Sequence, residues 1–459
     1  MFKSKSLIEN FSTKILFVLV FCIWNSYGCI DKMSLPSEIH TDAEFSAGDT
    51  TYLLVNPLWN QEKGLQSPVE ISISQDGLIF IADSSARSIF VFNQGGIKQT
   101  GFEALENVYT GDELISPIDV DIDSRMNVFF IDGNEKVYRW NQLWNQKGVD
   151  SFAAGGRFLT DTNEDSFIVS QSDLWLTAVN NPDWELIEIE WSTNQATIDS
   201  LIGIHCIYDG FSNDTIGDIW YSSTHSSFSA ITSIKSESKN IYVTDKTYDR
   251  ILALSLVRSQ LIRLSSGEEI WAHDLVYDHT VSEYGTGAGT VNQPMGIDSD
   301  DDGNIYYAQW GDYFQIHKIQ PIISGTYPVY PSVFQQGVND IMDLYRFEDP
   351  SDVAVDKHQY IYVANTYERE IQIFNNIGQF FKKAGIEYVT VDTSIWLYDG
   401  LDSTMTDTFM VLEKKDLLNS PSGIAVDPKG VIYVCDPSVS SIFRFRLSNQ
   451  LDENLNPIK

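Results

Sequence analysis

The sequence predicts an all-β protein built from a repeated three-stranded unit. Six segments share this unit, and they begin near residues 67, 116, 229, 293, 349 and 420. The first copy opens with an alternation of apolar and polar residues over Val69–Ile73, which is the pattern of a strand with one polar face. A continuous apolar run, Leu78–Ala82, follows and indicates a strand that is covered on both faces.

Turns separate these strands in a regular way. The turn between the first and second strands carries a glycine in several copies, as in Asp76-Gly77, Asp302-Gly303 and Lys429-Gly430. A short polar residue recurs where the second strand ends, and its side chain is expected to hydrogen-bond the backbone of the next turn. These residues are Asp83, Asp132, Asp245, Asn365 and Asp436.

A unit of this size cannot bury its apolar faces alone, whereas radial stacking of such units around an axis does so. The sequence therefore predicts a β-propeller with four-stranded blades. The fourth strand would come from the less regular sequence after each motif, for example Ile97–Phe102. Thr51–Val55 would supply the outer strand of the last blade and close the ring.

The number of blades is left open between six and seven. Six motifs are recognisable, but the second and third are separated by a long segment, residues 142–228, that contains strand-like runs without the motif. This segment is either a degenerate seventh blade or an insertion.

The repeat resembles the NHL repeat. The resemblance is strongest in DPSDVAVDKHQYIYVANTYEREIQIFN, which starts at Asp349, and in SPSGIAVDPKGVIYVCDPSVSSIFRFR, which starts at Ser420. It covers about residues 50 to 447, and it implies an interaction module more often than an enzyme. Propellers that resemble this one also include metal-dependent lactonases and lyases.

The N-terminus predicts export. Lys3 and Lys5 precede an apolar run, Ile15–Trp24, that fits a signal peptide and is too short to span a membrane. The following Ser26-Tyr27-Gly28-Cys29 resembles the lipobox of bacterial lipoproteins, which implies acylation of Cys29 and attachment in the cell envelope, on the periplasmic or surface face of the outer membrane. The alternative is an ordinary signal peptide with a nearby cysteine.

These features predict four regions. Residues 1–28 form the signal peptide, residues 29–49 a lipidated linker, residues 50–450 the propeller and residues 451–459 a tail. The chain has 64 acidic and 30 basic residues, and its net charge of −34 argues against a nucleic-acid partner. The same charge disfavours adhesion to anionic headgroups, so contact with a membrane is expected only through the lipid.

One acidic string suggests a metal. Asp298, Asp300 and Asp302, followed by Gly303, match the first half of a calcium-binding loop, because hard cations bind several oxygen ligands. The second half does not match, since Gln309 stands where the loop has its glutamate. The repeat register also makes this string an ordinary turn between two strands, and Ca²⁺ is the only cofactor that the sequence suggests.

Two classes of function follow. The first is a non-catalytic binding or scaffolding propeller for a protein, peptide or glycan, since the chain has no G-x-S-x-G, H-E-x-x-H or C-x-x-C motif. Several tryptophans could either stack on such a ligand or pack in the core: Trp59, Trp140, Trp144 and Trp310.

The alternative class is a metal-dependent hydrolase or lyase, similar to lactonases, with its site at the mouth of the central channel. Such a site would need acidic and histidine side chains from several blades to converge on the axis. The candidate contributors are Glu70, Asp119, Asp298, Asp352 and His317.

Overall fold

A computed structural model describes most of the repeat region. The described residues are 50–99, 109–110, 113–124, 126–140, 153–159, 164–168, 185–191, 205–209, 225–233, 240–263, 269–311, 313–323, 328–398 and 403–448. The signal peptide, Cys29, Trp144 and the tail lie outside them and remain predictions. Among the described residues, no helix has the length and apolar character needed to cross a membrane.

Six small antiparallel sheets contain the six sequence motifs, and we number them in chain order. Sheet 1 consists of Pro68–Ile73, Ile79–Asp83 and Ser88–Phe92; sheet 2 of Asp119–Ile122, Val128–Ile131, Lys136–Trp140 and His205–Asp209; sheet 3 of Phe228–Ser233, Asn240–Asp245, Arg250–Arg263 and Glu269–Ser282; sheet 4 of Pro294–Ser299, Ile305–Gln309 and Ile316–Ile319; sheet 5 of Pro350–Val355, Ile361–Asn365, Glu370–Phe374 and Phe380–Ala384; and sheet 6 of Ile424–Val426, Ile432–Asp436, Ser441–Leu447 and Tyr52–Leu54.

The remaining strands form smaller pairings outside the six sheets. They are Tyr109–Thr110 with Glu113–Leu114; Ala153–Leu159 between Glu164–Ile168 and Glu185–Trp191; Ile322–Ile323 with Pro328–Val329; and Ile386–Tyr398 with Ser403–Asp416. Three short 3-10 helices span Gln61–Lys63, Asp340–Met342 and Pro437–Val439. The six sheets belong to one compact unit, Ala47–Val391 with Val411–Lys459, whereas Asp392–Met410 fall outside it.

The first strands of successive sheets are neighbours all the way round. Six hydrogen bonds trace this cycle: Ser72 Oγ to Asp121 Oδ1, Ile231 N to Asp119 Oδ2, Ser229 Oγ to the Pro294 carbonyl, Val355 N to Asp298 Oδ2, Ile424 N to Asp352 Oδ2, and Gly423 N to the Val69 carbonyl. The described sheets therefore form a closed ring, as the stacking argument predicted.

The apolar core is divided between the seams of this ring. Six clusters of buried side chains lie between facing sides of successive sheets, including the pair formed by sheets 6 and 1. Between sheets 1 and 2, for example, Phe80 and Ile89 pack with Val120 and Phe130. Burial on both faces explains why the second strands are continuous apolar runs.

The ring closes where the sequence predicted. Tyr52–Leu54 pairs antiparallel with Ser441–Leu447, and Tyr52 stands opposite Leu447. Trp59 reinforces the junction, since its ring is fully buried and lies 5.6 Å from Phe92 and 5.7 Å from Tyr433. One sheet thus takes strands from both ends of the propeller.

Outer strands follow the sequence prediction less closely. Residues 142–228 contribute His205–Asp209, which becomes the outer strand of sheet 2. Asp119 of sheet 2 accepts a hydrogen bond directly from Ile231 N of sheet 3, so the first strands of these two sheets are neighbours. For the expected strand Ile97–Phe102, the described part shows a single bridge, from Lys98 to Phe92.

Polar residues that end second strands hydrogen-bond the backbone of the next turn, as predicted, and also the backbone before the first strand. Asp83 accepts hydrogen bonds from Ala86 N in the following turn and from Gln66 N and Ser67 N, which precede the first strand of the same sheet. Asp436 accepts in the same way from two backbone N–H groups before sheet 6. These side chains therefore fix both the turn and the entry into each sheet.

Candidate functional site: axial carboxyls and an aromatic patch

Acidic side chains converge on the axis of the ring from the first strands. Glu70, Asp119 and Asp352 each stand two residues after the proline that opens the motif, and Asp121 and Asp298 stand two residues further along. All five line one cavity of about 40 Å³. The structure thus brings together four of the five residues named for an axial site, and it adds Asp121.

Most of these carboxyls already bind backbone N–H groups of the next sheet. Asp119 accepts from Ile231 N at 2.7 Å, and Asp298 accepts from Val355 N at 2.7 Å. Asp352 is bonded in the same way to the first strand of sheet 6, at 2.9 Å. The shared geometry indicates that these side chains fasten each sheet to its successor.

Glycines make room for two of the carboxyls. A Cβ atom on Gly296 would lie 2.3 Å from Asp352 Oδ1, and one on Gly423 would lie 2.4 Å from Glu70 Oε1. Both distances are far below van der Waals contact, so neither position accepts a larger residue without movement of the strand. In these two seams, an acidic residue on one sheet thus faces a glycine on the preceding one.

Three of the carboxyls hold protons at unusually high pH. Burial, followed by the negative charge of Asp352, raises the pKa of Glu70 well above its ordinary value, and the same two causes raise the pKa of Asp119. Burial also raises the pKa of Asp352 to about 8, although bonds from backbone N–H groups oppose the shift. Glu70 and Asp352 thus influence each other across the axis, since the charge of Asp352 is a cause of the raised pKa of Glu70.

The axial cavity is small. Its volume of about 40 Å³ has room for roughly three water molecules, whereas pockets for organic ligands usually exceed about 300 Å³. A chamber of this size with protonated walls suits ordered water better than an organic substrate.

The three aspartates of the string that suggested calcium, Asp298, Asp300 and Asp302, have different surroundings and different hydrogen-bond partners. Asp298 faces the axis, whereas Asp300 accepts bonds from Asn304 N, Asn304 Nδ2 and Tyr306 Oη at 2.7 to 2.9 Å inside the turn. Asp302 accepts from Gln359 Nε2 at 3.0 Å. Within the described residues, no group of three or more His, Cys, Asp or Glu side chains is arranged to bind a metal ion.

The turn bonds of Asp300 recur in other sheets, which identifies them as a feature of the repeat. Asp356 and Asp427 each accept from two backbone N–H groups of their turn and from a tyrosine hydroxyl in the second strand. The equivalent position in sheet 2, Asp123, is bonded to Asn127 in the same manner.

His317 does not reach the axis. Its ring is fully buried and stacks on Tyr307 at 4.8 Å, and burial lowers its pKa to about 4. Nδ1 accepts from Gly289 N at 3.0 Å, so the Nε2 hydrogen points to the Phe314 carbonyl at 2.9 Å. His317 is therefore a neutral core residue.

A second candidate site lies on one edge of the ring. In every sheet the end of the second strand pairs with the start of the first, as Asn365 does with Pro350, so the loops that follow second strands share an edge with the loops that precede first strands. Four exposed aromatic residues of sheets 4 and 5 lie on this edge, and we call them the aromatic patch: Trp310, Tyr313, Tyr345 and Tyr367.

The members of the aromatic patch contact one another or the backbone of Glu348–Pro350. The Tyr313 and Tyr345 rings meet edge to face with centroids 5.8 Å apart, and Trp310 Nε1 donates to the Pro350 carbonyl at 3.0 Å. Tyr367 N donates to the Glu348 carbonyl at 3.3 Å. The exposed fractions run from 39% for Trp310 to 74% for Tyr345, so much ring surface faces solvent.

The sequence identified only part of this patch. Of the tryptophans it proposed, Trp59 and Trp140 are buried in the core, while Trp310 is exposed. The three tyrosines were missed, although Tyr313 and Tyr367 stand just beyond the ends of second strands, where an exposed loop was expected.

A comparison with known protein families supports the resemblance to the NHL repeat. Residues 418–445 match the family model of the NHL repeat, and they span sheet 6 from its first to its third strand. The chain therefore contains an NHL repeat within a β-propeller. No curated protein matches the NHL propeller described here.

Several solved structures are distantly similar to this NHL propeller. A virginiamycin B lyase from Staphylococcus aureus is 12% identical with a TM-score of 0.39, over 86% of this chain and 99% of the other. A gluconolactonase from Xanthomonas campestris is 8% identical with a TM-score of 0.40, over 87% of this chain and 90% of the other. An auxiliary nutrient binding protein from Bacteroides thetaiotaomicron is 10% identical with a TM-score of 0.40, over 83% of this chain and 69% of the other. Similarities this distant say nothing of what this propeller binds.

Proposed function

We propose that this NHL propeller is a non-catalytic binding module that contacts a protein, peptide or glycan through the aromatic patch. The observation that carries the proposal is the patch itself, four exposed aromatic side chains on one edge, of which Tyr313 and Tyr345 are in contact. Exposed aromatic rings supply large contact area at low entropic cost and are enriched in binding interfaces. The axial carboxyls, in contrast, are committed to bonds within the ring.

The proposal is tested with a single change in the patch. Full-length protein in detergent is applied to peptide and glycan arrays beside the variant Tyr345→Ser and the control Tyr284→Ser, whose ring is 64% exposed but lies outside the patch. Signals that Tyr345→Ser reduces and Tyr284→Ser leaves unchanged support the patch as the binding site. Equal signals from all three proteins contradict it.

We further propose that the chain is exported and held in the bacterial cell envelope by a lipid on Cys29. The apolar run Ile15–Trp24 and the following Gly28-Cys29 support this. Metabolic labelling with a fatty acid should mark the wild-type protein and not Cys29→Ala, and the variant should leave the membrane fraction. Labelling that persists in Cys29→Ala contradicts the proposal.

The alternative, a metal-dependent hydrolase or lyase, draws on the convergence of Glu70, Asp119, Asp298 and Asp352 at the axis. A metal site of this kind would require ionised ligands and space for a substrate. The raised pKa values of Glu70 and Asp352 and the small axial cavity favour the binding module instead. Mass spectrometry of metal content, with thermal shifts in the presence and absence of a chelator, separates the two. A stoichiometric cation whose removal destabilises the protein would favour the enzyme.

A further inference from the structure

We infer that the partner of the aromatic patch is a basic peptide segment, in which Lys or Arg side chains alternate with apolar ones. This inference rests on the proposed binding function and adds the chemical class of the partner. It draws on the acidic residues of the segment that contacts the patch, on the way the protein's own cations stack there, and on the charge of the whole chain.

Two exposed acidic residues belong to the segment that contacts the patch. Glu348 and Asp349 are both exposed, and neither forms an ion pair with any residue that the structure describes. Their segment touches two patch residues through its backbone, because Tyr367 N donates to the Glu348 carbonyl and Trp310 Nε1 donates to the carbonyl of Pro350, the next residue after Asp349. Negative charge therefore accompanies the aromatic surface of the patch.

Tyr345 is held outward by an uncommon backbone conformation. Its φ is 56°, in the left-handed region, and its side chain is 74% exposed. Left-handed φ values elsewhere in the chain recur at equivalent loop positions, such as Asp249 and Arg369, whereas Tyr345 belongs to no such series. A strained residue that exposes a large ring suggests a role in binding.

The patch and its surroundings already accept cations on aromatic faces. Lys246 Nζ lies 4.7 Å from the Trp310 ring centre, and the Arg250 guanidinium lies 4.8 Å from that of Tyr248. Arg250 is also paired with Asp245 at 3.0 Å, which neutralises its charge locally. The faces of Tyr345 and Tyr367 offer the same kind of contact to a cation from outside.

The overall charge favours a cationic partner over a neutral glycan. A net charge of −34 attracts basic segments at long range and raises their rate of association, whereas a neutral sugar gains nothing from this field. Glu368 and Arg369 are both exposed in the Tyr367 loop and contribute one charge of each sign. Glu348 and Asp349 add two negative charges beside the patch.

Binding of a defined probe tests the inference. The probe is the fluorescent octapeptide Lys-Tyr-Arg-Leu-Lys-Tyr-Arg-Leu, and its comparison peptide carries Gln at every basic position. A neutral hexasaccharide of β-linked glucose is the third ligand. Affinities for full-length protein in detergent are measured at about 50 mM and about 500 mM salt by fluorescence anisotropy, or by calorimetry for the sugar.

The basic peptide should bind, and high salt should weaken it. The double variant Glu348→Gln with Asp349→Asn should weaken binding about tenfold and remove most of the salt dependence. Tyr345→Ser should also weaken it about tenfold, since exposed aromatic anchors dominate such interfaces. The control variants Glu283→Gln and Tyr284→Ser, on exposed residues outside the patch, should bind like the wild type.

Other outcomes overturn the inference in distinguishable ways. If the Gln peptide or the hexasaccharide binds, with loss in Tyr345→Ser but not in Glu348→Gln with Asp349→Asn, the binding function stands and the basic partner is wrong. If the basic peptide binds equally to wild type and all variants, the attraction is unspecific and the inference fails. If no ligand binds in a manner that depends on Tyr345, both proposals fail.

Discussion

Replacing Glu70 by Gln should change how the stability of the propeller depends on pH. Glutamine has nearly the same shape as glutamate but cannot ionise, so the variant removes one titrating group from the axis. Because the pKa of Glu70 is raised in the folded protein, the native state retains a proton that the unfolded chain releases above about pH 4.3. Its stabilising effect is complete below that pH and is lost as the pH rises toward the folded value.

The magnitude follows from linkage. Each retained proton lowers the free energy of unfolding by up to about 1.4 kcal/mol per pH unit. From about pH 5 to about pH 8, one proton accounts for up to about 4 kcal/mol. Glu70→Gln should therefore gain stability relative to wild type as the pH rises, and this limit is the upper bound of the gain.

Urea unfolding at several pH values between these limits measures the effect, with Glu283→Gln as the control for an exposed glutamate. His317 acts with the opposite sign, since its lowered pKa stabilises the native state above about pH 6.5 and this stability is lost toward pH 4. That contribution is common to both proteins and cancels in the difference. Parallel pH profiles of Glu70→Gln and wild type would refute the raised pKa of Glu70.

Two further substitutions test the packing of the ring. Gly423→Ala should destabilise by roughly 1–3 kcal/mol or more, because the added Cβ would lie 2.4 Å from Glu70 Oε1, whereas Gly287→Ala meets nothing within 4 Å and should have little effect. Urea midpoints that are equal for the two alanine variants would contradict this account. Asp436→Ala removes the buried acceptor of two backbone N–H groups and should cost roughly 1–3 kcal/mol by the same assay, and a loss below about 0.5 kcal/mol would contradict its role.

The strands that belong to the repeated motif could be predicted from the sequence. Alternation and apolar runs located the first three strands of the sheets, because burial between neighbours imposes those patterns directly. The closing strand Tyr52–Leu54 was also predicted, since a ring needs a partner for its last outer edge. Other outer strands were not, because they lie at the rim, where little burial constrains the sequence, as His205–Asp209 illustrates.

The candidate sites were predictable to different degrees. Glu70, Asp119 and Asp352 share a register position, so their convergence followed from the ring, but their bonds to the next sheet depend on its backbone and leave no mark in their own segments. His317 shares no such register and proved to be a core residue. Tyr345 lies in an irregular connection, where exposure follows no period that a sequence could reveal.

The closing sheet also sets an order of events during synthesis. Thr51 and Ser448, which bond to each other at its edge, stand 397 residues apart, so sheet 6 cannot form until almost the whole chain has left the ribosome. Joining ends this distant costs roughly 5 kcal/mol of chain entropy, which only the completed seams can offset. A chain that stops before Ile424 would therefore leave the apolar sides of sheets 1 and 5 open to solvent, and it would be exposed to chaperones and proteases as an incomplete ring.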